Sequence, residues 1–246
     1  MDITGNTAFI PGATSGIGLA LALRLQAAGN TVVIGGRRTG LLQRLAAEHG
    51  LGTVVIDVTD PASVRAARDQ VLAEHPDLDV VIAMAGVMGV EDIRSADFLD
   101  HAERVIDTNV RGPLHLVAAF VEHLRTRPRA ALITVSSGLA HAPLAVTPTY
   151  NGSKAFIHRF TESIRLQLAG TSVQVIEIVP PGVRTELLPG GSEDERFMPL
   201  DAFADEVMAL LESQPDAREI LVEAVKPLRF AEVEGRYDAT VAAMNG

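Results

Sequence analysis

Residues 7–18 read Thr7-Ala8-Phe9-Ile10-Pro11-Gly12-Ala13-Thr14-Ser15-Gly16-Ile17-Gly18. A short apolar run passes into a glycine-punctuated turn and then, over Leu19–Ala28, into a stretch with helical periodicity. Glycines in such a turn permit a tight reversal, close approach of backbone N–H groups to a pyrophosphate, and tight packing of the helix. The helix N-terminus adds partial positive charge for phosphates. The spacing is Gly-x-x-x-Gly-x-Gly, which differs from the general dinucleotide fingerprint Gly-x-Gly-x-x-Gly.

The same rhythm continues outward along the chain. Thr31–Ile34, Thr53–Ile56, Asp79–Ala83, Ala131–Val135 and Val173–Ile178 read as buried strands, with a weaker one at Glu219–Val222. Near-continuous apolar strands imply a parallel sheet covered on both faces. Helical stretches at Leu41–His49, Ser63–Glu74 and Phe156–Leu168 alternate with them. This order predicts an α/β fold, a doubly wound parallel sheet of the Rossmann type. No linker or internal repeat divides the chain, so residues 1–246 are expected to form a single domain. Leu187–Pro199 is polar and punctuated by Gly and Pro, and is expected to be a mobile substrate loop at the sheet's carboxyl edge. Pro227–Asn245 is expected to be a closing helix and tail.

Composition narrows the function classes. A net charge of −10 argues against nucleic-acid or anionic-membrane partners. Mean hydropathy is +0.21, yet every apolar run stops short of the about 18 residues of a membrane span. Met1-Asp2-Ile3-Thr4-Gly5 has no basic start, so no secretory signal is expected, and a cytoplasmic location fits. The absence of cysteine removes disulfides, thiolate nucleophiles and Cys-ligated zinc. The histidines show no metal-ligand spacing, and no metal is expected.

Chemistry concentrates in Tyr150-Asn151-Gly152-Ser153-Lys154. On a helix, Tyr150 and Lys154 share one face. An ammonium beside a phenol favours the phenolate; bringing a pKa of about 10 near 7 takes roughly 4 kcal/mol. Ser137 ends a buried strand 13 residues before Tyr150, and Asn109 precedes Gly112-Pro113. These four residues in order, together with the glycine turn, resemble the short-chain dehydrogenase/reductase family over nearly the whole chain. The resemblance implies an oxidoreductase with Tyr150 as general acid and base and Ser137 bonded to the substrate oxygen. It further implies that Lys154 holds the nicotinamide ribose and tunes Tyr150, and that Asn109 positions a water leading to Lys154. Ser136 is the competing serine, and the spacing prefers Ser137.

The second strand ends in Gly35-Gly36-Arg37-Arg38, where an acidic residue would hold an unphosphorylated ribose. Two guanidinium groups there suit a 2′-phosphate, so NADP(H) is the expected cofactor. Gly12, Thr14, Ser15, Gly16, Ile17 and Gly18 are assigned to it as well. By resemblance, Asp57 and Val58 contact adenine, Ala83 and Ala85 belong to the adenosine side, and Pro181, Gly182, Val183 and Thr185 form the nicotinamide-carboxamide loop. Pro11 and Ala83-Met84 depart from the family pattern, replacing a polar tie between two turns by apolar residues.

A finer similarity, over Val135–Ala140, Pro148–Tyr150, Pro180-Pro181 and the tail Leu228–Glu232, points to the branch labelled DltE-like, which fixes no substrate. His141 reads as a surface-loop histidine able to reach the substrate pocket. A non-catalytic NADP(H)-binding sensor or scaffold remains the alternative, and the intact residue set favours the enzyme. The expected partner is a small-molecule carbonyl or alcohol. A homodimer or homotetramer is expected from the apolar Phe156, Ile157, Phe160, Ile164 and Leu168 beside Leu114–Val121.

Overall fold

The computed structural model describes residues 1–246. Seven strands, β1 (Thr7–Pro11), β2 (Thr31–Gly36), β3 (Gly52–Val55), β4 (Val80–Ala83), β5 (Ala130–Val135), β6 (Val173–Ile178) and β7 (Glu219–Ile220), form one parallel sheet. Their order is β3-β2-β1-β4-β5-β6-β7. The chain therefore reverses its winding between β1 and β4, which pair at Ala8↔Val80 and Phe9↔Val81. Such a reversal opens a crevice at the carboxyl ends of the strands.

Side-chain alternation along each strand builds two cores. Ala8 and Ile10, Val80 and Ile82, and Ile176 and Ile178 point to the face covered by α1 (Gly16–Ala27), α2 (Thr39–His49) and α7 (Leu200–Ser213). Phe9, Val81, Leu132 and Val175 point to the face covered by α3 (Pro61–Glu74), α5 (Gly112–Thr126) and α6 (Pro148–Gln167). Phe9 and Phe120 anchor α5 to that second face, with ring centroids 5.4 Å apart and neither ring exposed. Each such burial contributes about 1.5–3 kcal/mol before conformational entropy is counted.

Two helical segments extend beyond what the sequence indicated. Leu99–Thr126 is a nearly continuous helical run, α4 (Leu99–Ile106) joined to α5 through a π-helical turn over Asp107–Arg111. Asn109, Gly112 and Pro113 masked it, because all three read as helix breakers. The second, α7, follows a segment whose turns hid its start. Helix α6 begins at Pro148, eight residues before Phe156, with proline at its permitted N-terminal position. The expected single closing helix is instead two short ones, α8 (Lys226–Arg229) and α9 (Tyr237–Asn245), separated by turns. β7 is only two residues long, shorter than expected.

Segment 187–199 contains turns rather than regular structure, and its base is fixed. Val183 bridges Met198, and Arg184 donates to the carbonyls of Asp194, Glu195 and Phe197. On the outer face of α6, Phe156 and Phe160 stack with centroids 5.8 Å apart, whereas Ile157 and Ile164 are buried against the sheet.

The tightest constraint lies where the turns after β1 and β4 meet. Gly12 has φ +92°, and a β-carbon there would fall 2.5 Å from the Ala85 Cα. Both the backbone conformation and the contact require glycine. Gly12→Ala should therefore destabilise the protein by about 2 kcal/mol or more in urea unfolding. A midpoint equal to wild type would contradict this packing.

Candidate active site

The crevice is built from its glycine turn upward. Gly12 N–H donates to Gly35 O at 2.8 Å, locking the turn to β2. Met84 follows β4 and lies against α1, where a β-carbon on Gly18 would meet its Cγ at 2.8 Å. The turns after β1 and β4 thus meet at Gly12 and Ala85, while Met84 packs against Gly18 of α1 and Pro11 lies beside Gly35 of β2. Ser15 precedes α1 in extended conformation, its side chain makes no capping bond, and the first helical turn carries no acidic residue. Ile17 packs against the core beneath. The N-terminus of α1 is consequently open to an anion.

On the β2 side, Arg38 Nη2 donates to Thr14 Oγ1 at 3.0 Å, so the guanidinium lies beside the glycine turn. Arg37 is largely exposed and reaches Asp57 only at 4.0 Å. Asp57 accepts from the backbone and hydroxyl of Thr59 at 3.0 and 2.8 Å. Val58 packs against the space a β-carbon on Gly112 would need. The opposite wall comes from β6: Thr185 faces Gly16, whose β-carbon would lie 3.4 Å from Thr185 Cγ2. Pro181, Gly182 and Val183 connect β6 to that wall, with the Phe197 ring against Gly182. Ala83 ends β4, and Ala85 just beyond it packs against the Gly12 turn.

Tyr150 and Lys154 are both buried, one turn apart on α6. Lys154 Nζ donates to Val135 O at 2.8 Å and lies 5.5 Å from the Tyr150 ring centroid. The sequence led to the expectation of a lowered phenol pKa. Burial instead pushes Tyr150 up to about 12 in the free chain, with the Ser137 hydroxyl opposing that rise. The ammonium is turned toward the Val135 carbonyl, and burial pushes Lys154 down to about 8, opposed by Glu177.

Asn109 is buried in the π-helical turn, a wide turn that recurs at functional sites. Its Oδ1 accepts from Val87 N–H at 2.8 Å, and its Nδ2 donates to Val87 O and Ser153 Oγ at 2.9 and 3.2 Å. Ser153 in turn donates to Tyr150 O at 2.7 Å. A β-carbon on Gly86 would sit 3.5 Å from Asn109 Oδ1 and 3.8 Å from Lys154 Nζ. The side chain of Asn109 therefore ties the loop after β4 to α6. All four catalytic candidates meet at the carboxyl end of the sheet.

Sequence reasoning missed the polar cluster beneath them. Ser136 Oγ donates to Glu177 Oε1, and His158 Nδ1 lies 3.0 Å from both Glu177 oxygens. Arg229 donates to Glu219 through two nitrogens at 2.8 and 3.0 Å. His141, read as a surface histidine, packs edge-on to His158 at 4.6 Å with Nε2 buried, and burial pushes its pKa down to about 4. Tyr150, Lys154 and His158 follow at intervals of four, which marks one helix face and was the available signal. Glu177 and Glu219 are distant in sequence, so no local spacing could reveal them. Ligating atoms of His158, Glu177 and Glu219 lie within 4.8 Å of one another, but Arg229 already answers the charge of Glu219.

Comparison with known proteins matches this geometry. The family model described as short chain dehydrogenase matches residues 6–196. An uncharacterized oxidoreductase, DltE, of Bacillus subtilis is 37% identical over 252 aligned residues, covering 100% of this chain and 98% of its own length. An NADP-dependent 3-hydroxy acid dehydrogenase of Salmonella typhi is 33% identical over 187 residues, covering 75% of this chain and 73% of its own. Among solved structures, a short chain dehydrogenase of Burkholderia cenocepacia in complex with NADP superposes with a TM-score of 0.83 at 26% identity, covering 99% of each chain. With a glycine turn on β1, a Ser-Tyr-Lys constellation at the crevice and a family model spanning most of its length, this chain belongs to the short-chain dehydrogenase family of oxidoreductases.

Proposed function

We propose that this oxidoreductase transfers a hydride between NADP(H) and a carbonyl or secondary alcohol on a small molecule, with Tyr150 as general acid and base. The observation that supports this most is the convergence of a buried phenol, a serine hydroxyl and a buried ammonium on one crevice. The residues present suit the cofactor. At Gly12 and Gly18 a β-carbon would strike neighbouring atoms, and beyond them α1 offers an open N-terminus. The Salmonella relative is described as NADP-dependent, and the Burkholderia structure holds NADP.

In this reading Thr14, Ser15, Gly16 and Ile17 hold the pyrophosphate, and Arg37 and Arg38 take the 2′-phosphate. Asp57, Val58, Ala83 and Ala85 border the adenosine. Pro181, Gly182, Val183 and Thr185 receive the carboxamide, and Tyr150 and Lys154 receive the nicotinamide ribose. When bound, the cofactor supplies or accepts the hydride at its nicotinamide ring. The protein supplies the proton. With its pKa near 12, Tyr150 remains a phenol at neutral pH and is poised to donate to the developing alkoxide, while Ser137 donates to the same oxygen. Oxidation needs the phenolate, so its rate should rise with pH, and reduction should be the faster direction near pH 7.

Tyr150→Phe removes one oxygen and keeps the ring packing. Turnover of NADPH with a reactive carbonyl should fall at least about 10²-fold while NADPH affinity changes little. Turnover within a few-fold of wild type would defeat the assignment and favour a non-catalytic NADP(H)-binding protein.

Replacing Arg37 and Arg38 together by alanine should reduce the preference for NADPH over NADH by at least about tenfold, or about 1.4 kcal/mol. Steady-state kinetics with both cofactors reads this directly. Equal losses for the two cofactors would show that the arginines act on the fold rather than on the phosphate.

A second copy of this chain is proposed to cover the Phe156–Phe160 stack on α6, where Phe156 is 39% exposed. Light scattering should give a mass at least twice 26.1 kDa at micromolar concentration. A monomer there would contradict it.

A further inference from the structure

Lys154 is one of two lysines in the chain, the other being Lys226; every remaining cationic side chain of the Lys/Arg type is arginine. An arginine stays charged in proteins, whereas a buried lysine readily loses its proton. In the reading above Lys154 donates to the nicotinamide ribose as an ammonium, and burial works against that charge. Something nearby must hold the charge in place.

Glu177 on β6 is completely buried and has no role in the catalytic set. It is gripped by direct neighbours of that set on two elements. Ser136 donates to it from between Val135, whose carbonyl accepts from Lys154, and Ser137. His158, one turn beyond Lys154 on α6, lies 3.0 Å from both of its oxygens. The other charges around this cluster are already answered. Glu219 is paired with Arg229, Glu162 is paired with Arg159 at 2.7 Å, and burial holds His141 neutral near pH 7. His158 is the direct partner of Glu177 and Arg229 also acts on it, while Lys154 reaches the same cluster through the Val135 carbonyl, next to Ser136.

We propose that Glu177, clamped by Ser136 and His158, is a positioning residue that keeps Lys154 an ammonium and fixes the β5 end carrying Ser137. The proposal rests on the reaction assigned above, yet its central measurement does not require turnover. A buried carboxylate near a buried ammonium favours the charged form by one to three pKa units or so, and Glu177 raises the Lys154 value in this chain.

The test is an NMR titration of protein labelled with ¹³C at lysine Cε. The spectrum holds two such carbons, and Lys226→Arg assigns Lys154. In wild type Lys154 should titrate near about 8. Glu177→Gln, which keeps the shape and can still bond Ser136, should lower that midpoint by about one unit or more and leave Lys226 in place. Glu177→Asp should retain most of the wild-type value. Reduction with NADPH, which in this reading uses the Lys154 ammonium, should be lost at lower pH in Glu177→Gln than in wild type. An unchanged Lys154 midpoint in that variant overturns the proposal. Should the variant not fold, the wild-type titration decides: a midpoint below about 7 would mean that Glu177 does not hold the charge. If Tyr150→Phe turns over normally, the reaction assignment falls and the lysine titration still stands. If Tyr150→Phe is inactive while Lys154 ignores Glu177, only the role of Glu177 falls.

Discussion

The structure depends on keeping a lysine ammonium out of water at the end of a parallel sheet. Lys154 is 6% exposed, and its ammonium donates to the Val135 carbonyl. An unpaired buried charge would be expelled or neutralised. Meeting that demand brings the end of β5, the middle of β6 and one face of α6 into register. Ser137 and Tyr150 then fall beside each other because their sequence neighbours are fixed by the lysine and its surroundings. The geometry of the candidate site is in this sense tied to satisfying a charge.

The same economy governs the phosphate end of the crevice. Close approach of the β1 and β4 turns leaves no room for a side chain at Gly12, and close approach of α1 leaves none at Gly18. These contacts aim the N-terminus of α1 at the crevice. Arg38 reaches Thr14 from β2, adding positive charge to a chain whose net charge is −10. An acidic protein thereby presents a local cationic edge suited to an anionic ligand.

Much of this was legible in the sequence, and the gaps have physical causes. Alternating β-branched runs revealed the strands, because strands buried on both faces must be apolar throughout. Tyr150, Lys154, Ser137 and Asn109 were found by order and spacing, and all four do meet. The resemblance placed Asn109 on a helix, but the π-helical turn and the length of the run around it were not legible, since Asn109, Gly112 and Pro113 are residues that ordinarily break helices. The direction of the Tyr150 shift was misjudged because spacing reveals a neighbouring ammonium but not that it points at Val135, nor how deeply the phenol is buried. Ser136 and Glu177 became partners only through the pairing of β5 with β6, and His158 joined them through the packing of α6 on β6. A lone glutamate inside an apolar strand was the trace they left.

The most direct test of hydride transfer follows the hydrogen itself. The protein would be incubated with NADPH carrying deuterium at both nicotinamide C4 positions and a panel of aldehydes and ketones, and the alcohols analysed by mass spectrometry. The account predicts that an alcohol product gains one deuterium on its carbinol carbon, with matching loss of cofactor absorbance. Cofactor left unconsumed across the whole panel, or an alcohol whose new carbon-bound hydrogen came from solvent, would contradict it.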